Sequence, residues 1–134
     1  MYLNRLSGEQ KELFLDLCIH ASRADGIFAE EEKACIKEYC IEMQLENIRY
    51  SSNNNLDITM QKMVEVSTAR DLKIIFCEVV ALVLRDNVLE KNEDKMITQL
   101  MSAFSLSVEF KDKIVSKLKA LQELYGDLNQ LVLE

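Results

Sequence analysis

No proline occurs anywhere in the 134 residues, and glycine occurs only at Gly8, Gly26 and Gly126. Turn-rich β architectures place these two residue types at their corners, because proline presets a turn dihedral and glycine accepts a positive φ. A chain so poor in both is expected to be all-α, with helices joined by few sharp corners. At this length one domain over residues 1–134 is expected, built on one core. A domain of this size buries roughly two-thirds of its unfolded surface, which is enough for stability without disulfides or a structural metal.

Sixteen basic residues against twenty-three acidic ones leave a formal charge of −7, the wrong sign for a protein that binds phosphate backbones. Nucleic acid is therefore not an expected partner. The longest apolar stretch, Val79 to Leu84, is far short of the 18 or more residues that a transmembrane helix needs. The opening residues, from Met1 to Glu9, contain no apolar segment of secretory type, so the expected location is cytoplasmic. Cys18, Cys35, Cys40 and Cys77 show no C-x-x-C spacing and sit among apolar residues. They read as small buried hydrophobes with free thiols. A zinc site from Cys18 and His20 is disfavoured, because positions two apart on a helix point to different sides.

Ser7-Gly8-Glu9-Gln10 has the form of a capping box and predicts a helix start. Leu13, Phe14, Leu17, Cys18 and Ala21 follow at the spacing of a buried stripe, and Ala24-Asp25-Gly26 supplies a stop. Glu30-Glu31-Glu32 opens a second helix with negative charge where the helix dipole favours it, and Ile36, Tyr39, Cys40 and Met43 form its inner face. The polar stretch from Glu46 to Asn55 reads as the main surface loop, dividing the chain into two halves. Beyond it, helices are expected over Leu56 to Thr68, Asp71 to Arg85 and Asn92 to Phe104, the second of these apolar enough to be central.

A long last helix is expected from Ser107. Its Ile114, Leu118, Leu121, Tyr125, Leu128 and Val132 step by alternate fours and threes, which is a seam. The seam can pack onto the rest of the domain or join two copies as a homodimer, and Gly126 is a point at which the helix can break.

Sliding the chain by 61 residues lays Leu13 to Leu45 over Ile74 to Leu106. Fourteen of the 19 apolar positions in the first segment then meet an apolar residue in the second, so both specify a helix, a tight connection and a helix. Asp25 falls on Asp86, Glu32 on Glu93, and Gly26 on Asn87, the two residue types that most readily accept a positive φ. The expected fold is a helical bundle of about six to seven helices built from two hairpins related by a pseudo-twofold axis.

The segment Ala24-Asp25-Gly26-Ile27-Phe28-Ala29-Glu30-Glu31-Glu32, with its degenerate copy one repeat later, resembles the signature of the TerB-like family, named for a tellurite-resistance protein. The similarity runs from about Glu9 to Leu106. It implies an all-helical fold of interlocked hairpins, a stress or metal-resistance setting, and a divalent cation site at the matching acids Asp25, Glu32, Asp86 and Glu93. The second copy departs from the pattern, reading Arg85-Asp86-Asn87 where the first reads Ala-Asp-Gly.

Two uses of these acids stand open. Four carboxylates converging on the pseudo-twofold axis would repel one another until a hard cation such as Ca²⁺ or Mg²⁺ took their oxygens. Alternatively, Asp25 and Asp86 make turns while Glu32 and Glu93 satisfy backbone N–H groups at helix starts. An EF-hand is excluded, since Ala21 and Arg23 would stand at its first two ligand positions. The one histidine, His20, lies mid-helix and reads as a packed, hydrogen-bonded residue. No phosphate loop, dinucleotide turn or H-E-x-x-H pair occurs, so an enzyme is not expected. The two functional readings are a cation-binding TerB-like domain and a scaffold that docks an unknown protein partner through its acidic surface or last helix.

Overall fold

The computed structural model describes residues 1–24, 30–46, 48–84 and 91–134. Among these residues a 3-10 turn at Leu3–Arg5 precedes six helices: α1 (Gly8–Ser22), α2 (Glu30–Glu42), α3 (Leu56–Glu65), α4 (Ala69–Val83), α5 (Lys91–Ala103) and α6 (Val108–Leu133). No strand occurs among the described residues. The all-α expectation holds in that form.

Each start has a local cause. At α1 the Ser7 side chain accepts from the Gln10 N–H, while the Gln10 side chain accepts from the Ser7 N–H. Thr68 and Asp71 form the same reciprocal pair at α4, so that helix begins two residues before the expected Asp71. Asn55 caps α3 and Ser107 caps α6. α3 ends at Glu65, three residues short of the expected Thr68. Gly126 does not interrupt α6, which continues to Leu133. One interior glycine costs a helix only about 1 kcal/mol, which the flanking turns outweigh.

The two central helices are α1 and α4. Every residue from Leu13 to Ile19 is buried, so α1 is enclosed on all sides rather than along the stripe that its spacing suggested. The core joins Leu3, the α1 residues and Ile36 and Cys40 of α2 to Met60 and Met63 of α3, Ile75, Phe76 and Val79 of α4, Ile97 and Leu100 of α5, and Leu118 of α6. α1 and α2 are antiparallel: Phe14 meets Tyr39 edge-on at 5.5 Å between ring centres, and Cys18, further along α1, lies near Cys35, earlier in α2.

The two halves correspond in local detail. The bounds of α4 and α5 are those of α1 and α2 advanced by 61 residues, the separation of Gln10 and Asp71. α2 and α5 also terminate alike. Gln44 has φ 58° and Ser105 φ 56°, the Leu45 N–H reaches the Cys40 carbonyl at 2.9 Å, and the Leu106 N–H reaches that of Met101 at 2.9 Å. The third helices differ. His20 of α1 meets Asn54 just before α3 and Gln10 meets Val66 just after it, so α3 runs against α1. α6 instead advances with α4, from Phe110 beside Phe76 to Gln122 beside Leu84.

Candidate functional site

Of the four predicted acids, Asp25 and Asp86 lie outside the described residues, as do Gly26 and Asn87. Glu32 and Glu93 are described and occupy the same place, the third residue of α2 and the third of α5. Both are half-buried, and both engage other groups. The direction of the central helices sets their relation. Near the starts of α1 and α4, Gln10 donates to Asp71 at 3.0 Å. Further along both, full burial, then the neighbouring Cys35 and Glu78, push the Cys18 thiol well up from its usual pKa, which sets Cys18 near Glu78. The two helices therefore run the same way, and α2 and α5 both start from the end at which α1 and α4 finish. Among the described residues, no three His, Cys, Asp or Glu side chains are grouped to hold a metal ion.

Two buried carboxylates, not anticipated as such, organise the interior. Asp16 of α1 is 1% exposed. It accepts from the Arg49 guanidinium, from the Asn53 N–H at 2.9 Å and from the Asn54 amide at 3.3 Å. Arg49 also donates to the carbonyls of Glu12 and Ser51 and pairs with the Glu12 carboxylate. The polar loop before α3 is thereby tied to α1. Arg23 adds a bond to the Tyr50 carbonyl, and His20 Nε2 lies 2.9 Å from the Asn54 carbonyl. A carbonyl only accepts, so His20 carries a proton on Nε2 and ties α1 to the loop.

Glu78 of α4 is 2% exposed and holds the Met1 ammonium at 2.9 Å and the Tyr2 N–H at 3.0 Å. Glu42 of α2 takes the Leu3 N–H at 3.2 Å. The first residues are thus clamped between α2 and α4. A lone acid inside an apolar helical run, Leu13 to Ile19 or Ile74 to Leu84, was the available sign of both carboxylates.

The thiols match their reading. None of the four cysteines is in a disulfide, Cys18, Cys35 and Cys40 being buried and Cys77 half-buried. Burial raises the pKa of Cys18, Cys40 and Cys77, which keeps them as unreactive thiols. Burial, joined by nearby Cys18, Cys35 and Glu78, also raises the Tyr39 phenol.

The surface feature that stands out is α6. Its first half packs on α4: Ile114 and Val115 are partly buried, Leu118 is buried, and Gln122 Nε2 donates to the last α4 carbonyl, that of Leu84, at 2.7 Å. From Glu123 onward every residue is exposed. Leu124 is 63% exposed, Tyr125 61%, Leu128 54%, Leu131 82% and Val132 68%. These five residues recur at the spacing of one helical face. Eighteen residues make five turns of an α-helix, so Val132 lies over Ile114 and Leu128 over Phe110, both packed, while Leu131 lies over the exposed Lys113. The acids of the segment, Glu123, Asp127 and Glu134, lie off that face. No described helix is long and apolar enough to cross a membrane.

Comparison with known protein families, with curated proteins and with solved structures finds no match to this chain.

Proposed function

We propose that this is a helical protein-interaction module, in which a rigid body built on α1 and α4 presents the outer half of α6 as an apolar docking face. One observation carries this reading. Five large apolar side chains stand exposed on α6 beyond its last contact with the body, three of them, Tyr125, Leu128 and Val132, in register with residues that pack inside it. Soluble domains rarely expose a continuous apolar face of several hundred Å² unless something covers it. The core needs none of these side chains, since it closes around Leu118 and Gln122.

The test is the triple variant Leu124→Glu/Leu128→Glu/Leu131→Glu. Its thermal midpoint should stay within about 3 °C of the parent, because the replaced residues are solvated. The parent should either self-associate or bind the apolar dye bis-ANS, and the variant should do neither. A parent that does neither, or a variant that unfolds, contradicts the reading.

A second reading rests on the correspondence of the halves. The equal helix bounds, the matching left-handed residues Gln44 and Ser105, and the contact between Gln10 and Asp71 support a pseudo-twofold, TerB-like duplication. On that reading Glu32 and Glu93, at the end where α2 and α5 start, join Asp25 and Asp86 as oxygen ligands for Ca²⁺ or Mg²⁺. Calorimetric titration with these ions tests it: heat that vanishes in Glu32→Ala/Glu93→Ala supports the site, and no heat from the parent removes it.

A further inference from the structure

We infer that the occupant of the α6 face is the same face of a second copy, and that the two helices pair antiparallel about a twofold axis near Gly126 and Asp127. The inference rests on the interaction reading above and names its partner.

Charge argues for self-pairing. In the heptad register of the seam, Leu121 and Leu128 take d positions and Tyr125 and Val132 take a positions. The flanking e positions hold Gln122 and Asn129, and the flanking g positions hold Leu124 and Leu131. No charged residue stands where pairing helices meet, so nothing repels an identical face and nothing selects an oppositely charged one. The acids Glu123, Asp127 and Glu134 fall at c and f positions, outside such an interface. A basic amphipathic partner would find acids only on the far side of the helix.

Direction follows from the geometry of the overhang. Tyr125, Leu128 and Val132 continue the side of α6 that lies on α4, so a helix laid against them occupies, beyond the body, the place α4 occupies within it. A parallel partner, followed back towards its own body, would run into α4. An antiparallel partner carries its body away from the first. The layers then pair Tyr125 with Leu128 of the second copy and Leu121 with Val132, while Leu124 meets Leu131.

Five large apolar side chains per copy, each more than half exposed, meet their counterparts, which places the interface at the small end of specific ones. Each copy carries a net charge of −7, so bringing two together is opposed by repulsion that salt screens. Self-pairing should therefore tighten as salt rises, whereas docking of a basic partner would weaken.

Sedimentation velocity of the full chain from about 1 to about 200 µM tests the pairing. The expected result is a monomer–dimer equilibrium, weakened at least roughly 100-fold by Leu128→Glu, with unchanged helicity. Leu131→Glu serves as an independent second variant. Direction is read from two double variants: Leu124→Glu/Leu131→Lys should keep the dimer through opposite charges between copies, and Leu124→Glu/Leu131→Glu should lose it. A dimer insensitive to Leu128→Glu and Leu131→Glu overturns the proposal, as does loss of the dimer in both double variants. A monomer at every concentration that still binds bis-ANS through α6 overturns self-pairing but leaves the docking face. A monomer that binds no dye removes both.

Discussion

Gln10 and Asp71 stand 61 positions apart in sequence, each the third residue of its helix, and their side chains meet at 3.0 Å. The Gln10 amide also reaches the Val66 carbonyl and the Ser67 hydroxyl, so one buried side chain ties the start of α1 to the whole α3–α4 connection. Gln10→Ala should cost about 1–2 kcal/mol in urea unfolding, because it strips a cap and removes the bonds to Val66, Ser67 and Asp71.

The same contact has a pH signature. The Thr68 N–H, then the Gln10 amide, hold the Asp71 carboxyl below its usual pKa. A lowered folded value means that the contribution is complete above about pH 4 and is lost as the pH falls through the folded pKa. Stability measured from pH 6 down to pH 2 should fall less steeply in Asp71→Asn. Identical profiles for the two proteins would contradict the assignment.

Arg49 is expected to be the most sensitive residue of the loop before α3. Its removal leaves the Asp16 carboxylate buried and unpaired, so Arg49→Ala should cost about 3–5 kcal/mol. Arg49→Lys should recover little of this, because a lysine cannot serve Asp16, Ser51 and Glu12 at once. Guanidinium unfolding and hydrogen exchange at the loop amides check both values.

At the amino terminus the expected pH dependence is of the opposite sense. Partial burial by itself lowers the pKa of the Met1 amine, but Glu78 and then Glu42 outweigh it and the net shift is upward. A raised folded value gives stability that is fully present below about pH 8 and lost as the pH rises through the folded pKa. Unfolding curves between pH 7 and pH 10 should show this loss, and acetylation of the amine should abolish the dependence. A profile unaffected by acetylation would contradict the clamp.

Gln44 and Ser105 hold a left-handed backbone without glycine, while Gly126 sits in a helix with open space around its Cα. Gln44→Gly and Ser105→Gly should each stabilise the fold by about 1 kcal/mol, and Gly126→Ala by about 0.5–1 kcal/mol. Thermal midpoints measure all three.

The helices were readable where chemistry is local. Ser7, Gln10, Asn55 and Ser107 carry their capping role in their own side chains, and the apolar spacing of α1, α4 and α6 marks the faces they bury. The Thr68–Asp71 box was equally local, but the apolar run behind it drew the start to Asp71. Asp16 and Glu78 were not readable as buried carboxylates, because what permits their burial, Arg49 and the Met1 amine, lies 33 and 77 residues away. The seam of α6 was visible as one stripe. Its division into a packed half and an exposed half depends on where α4 ends, which only the assembled bundle defines. Of the proposed acid site, sequence spacing located Glu32 and Glu93 at matching helix starts, while Asp25 and Asp86 fall outside the described residues.

Hydrogen exchange at the amides of residues 123–133 addresses the docking face most directly. A solvated helix end frays and exchanges quickly, whereas one covered by a partner is protected. With the full chain at about 200 µM these amides should exchange at least roughly tenfold more slowly than at about 1 µM, and Leu128→Glu should remove the difference. Exchange that is equally fast at both concentrations, with no partner added, would contradict coverage by a second copy. Protection that is equally strong at both concentrations and survives Leu128→Glu would show that the outer turns of α6 belong to the fold of one chain and not to an interface.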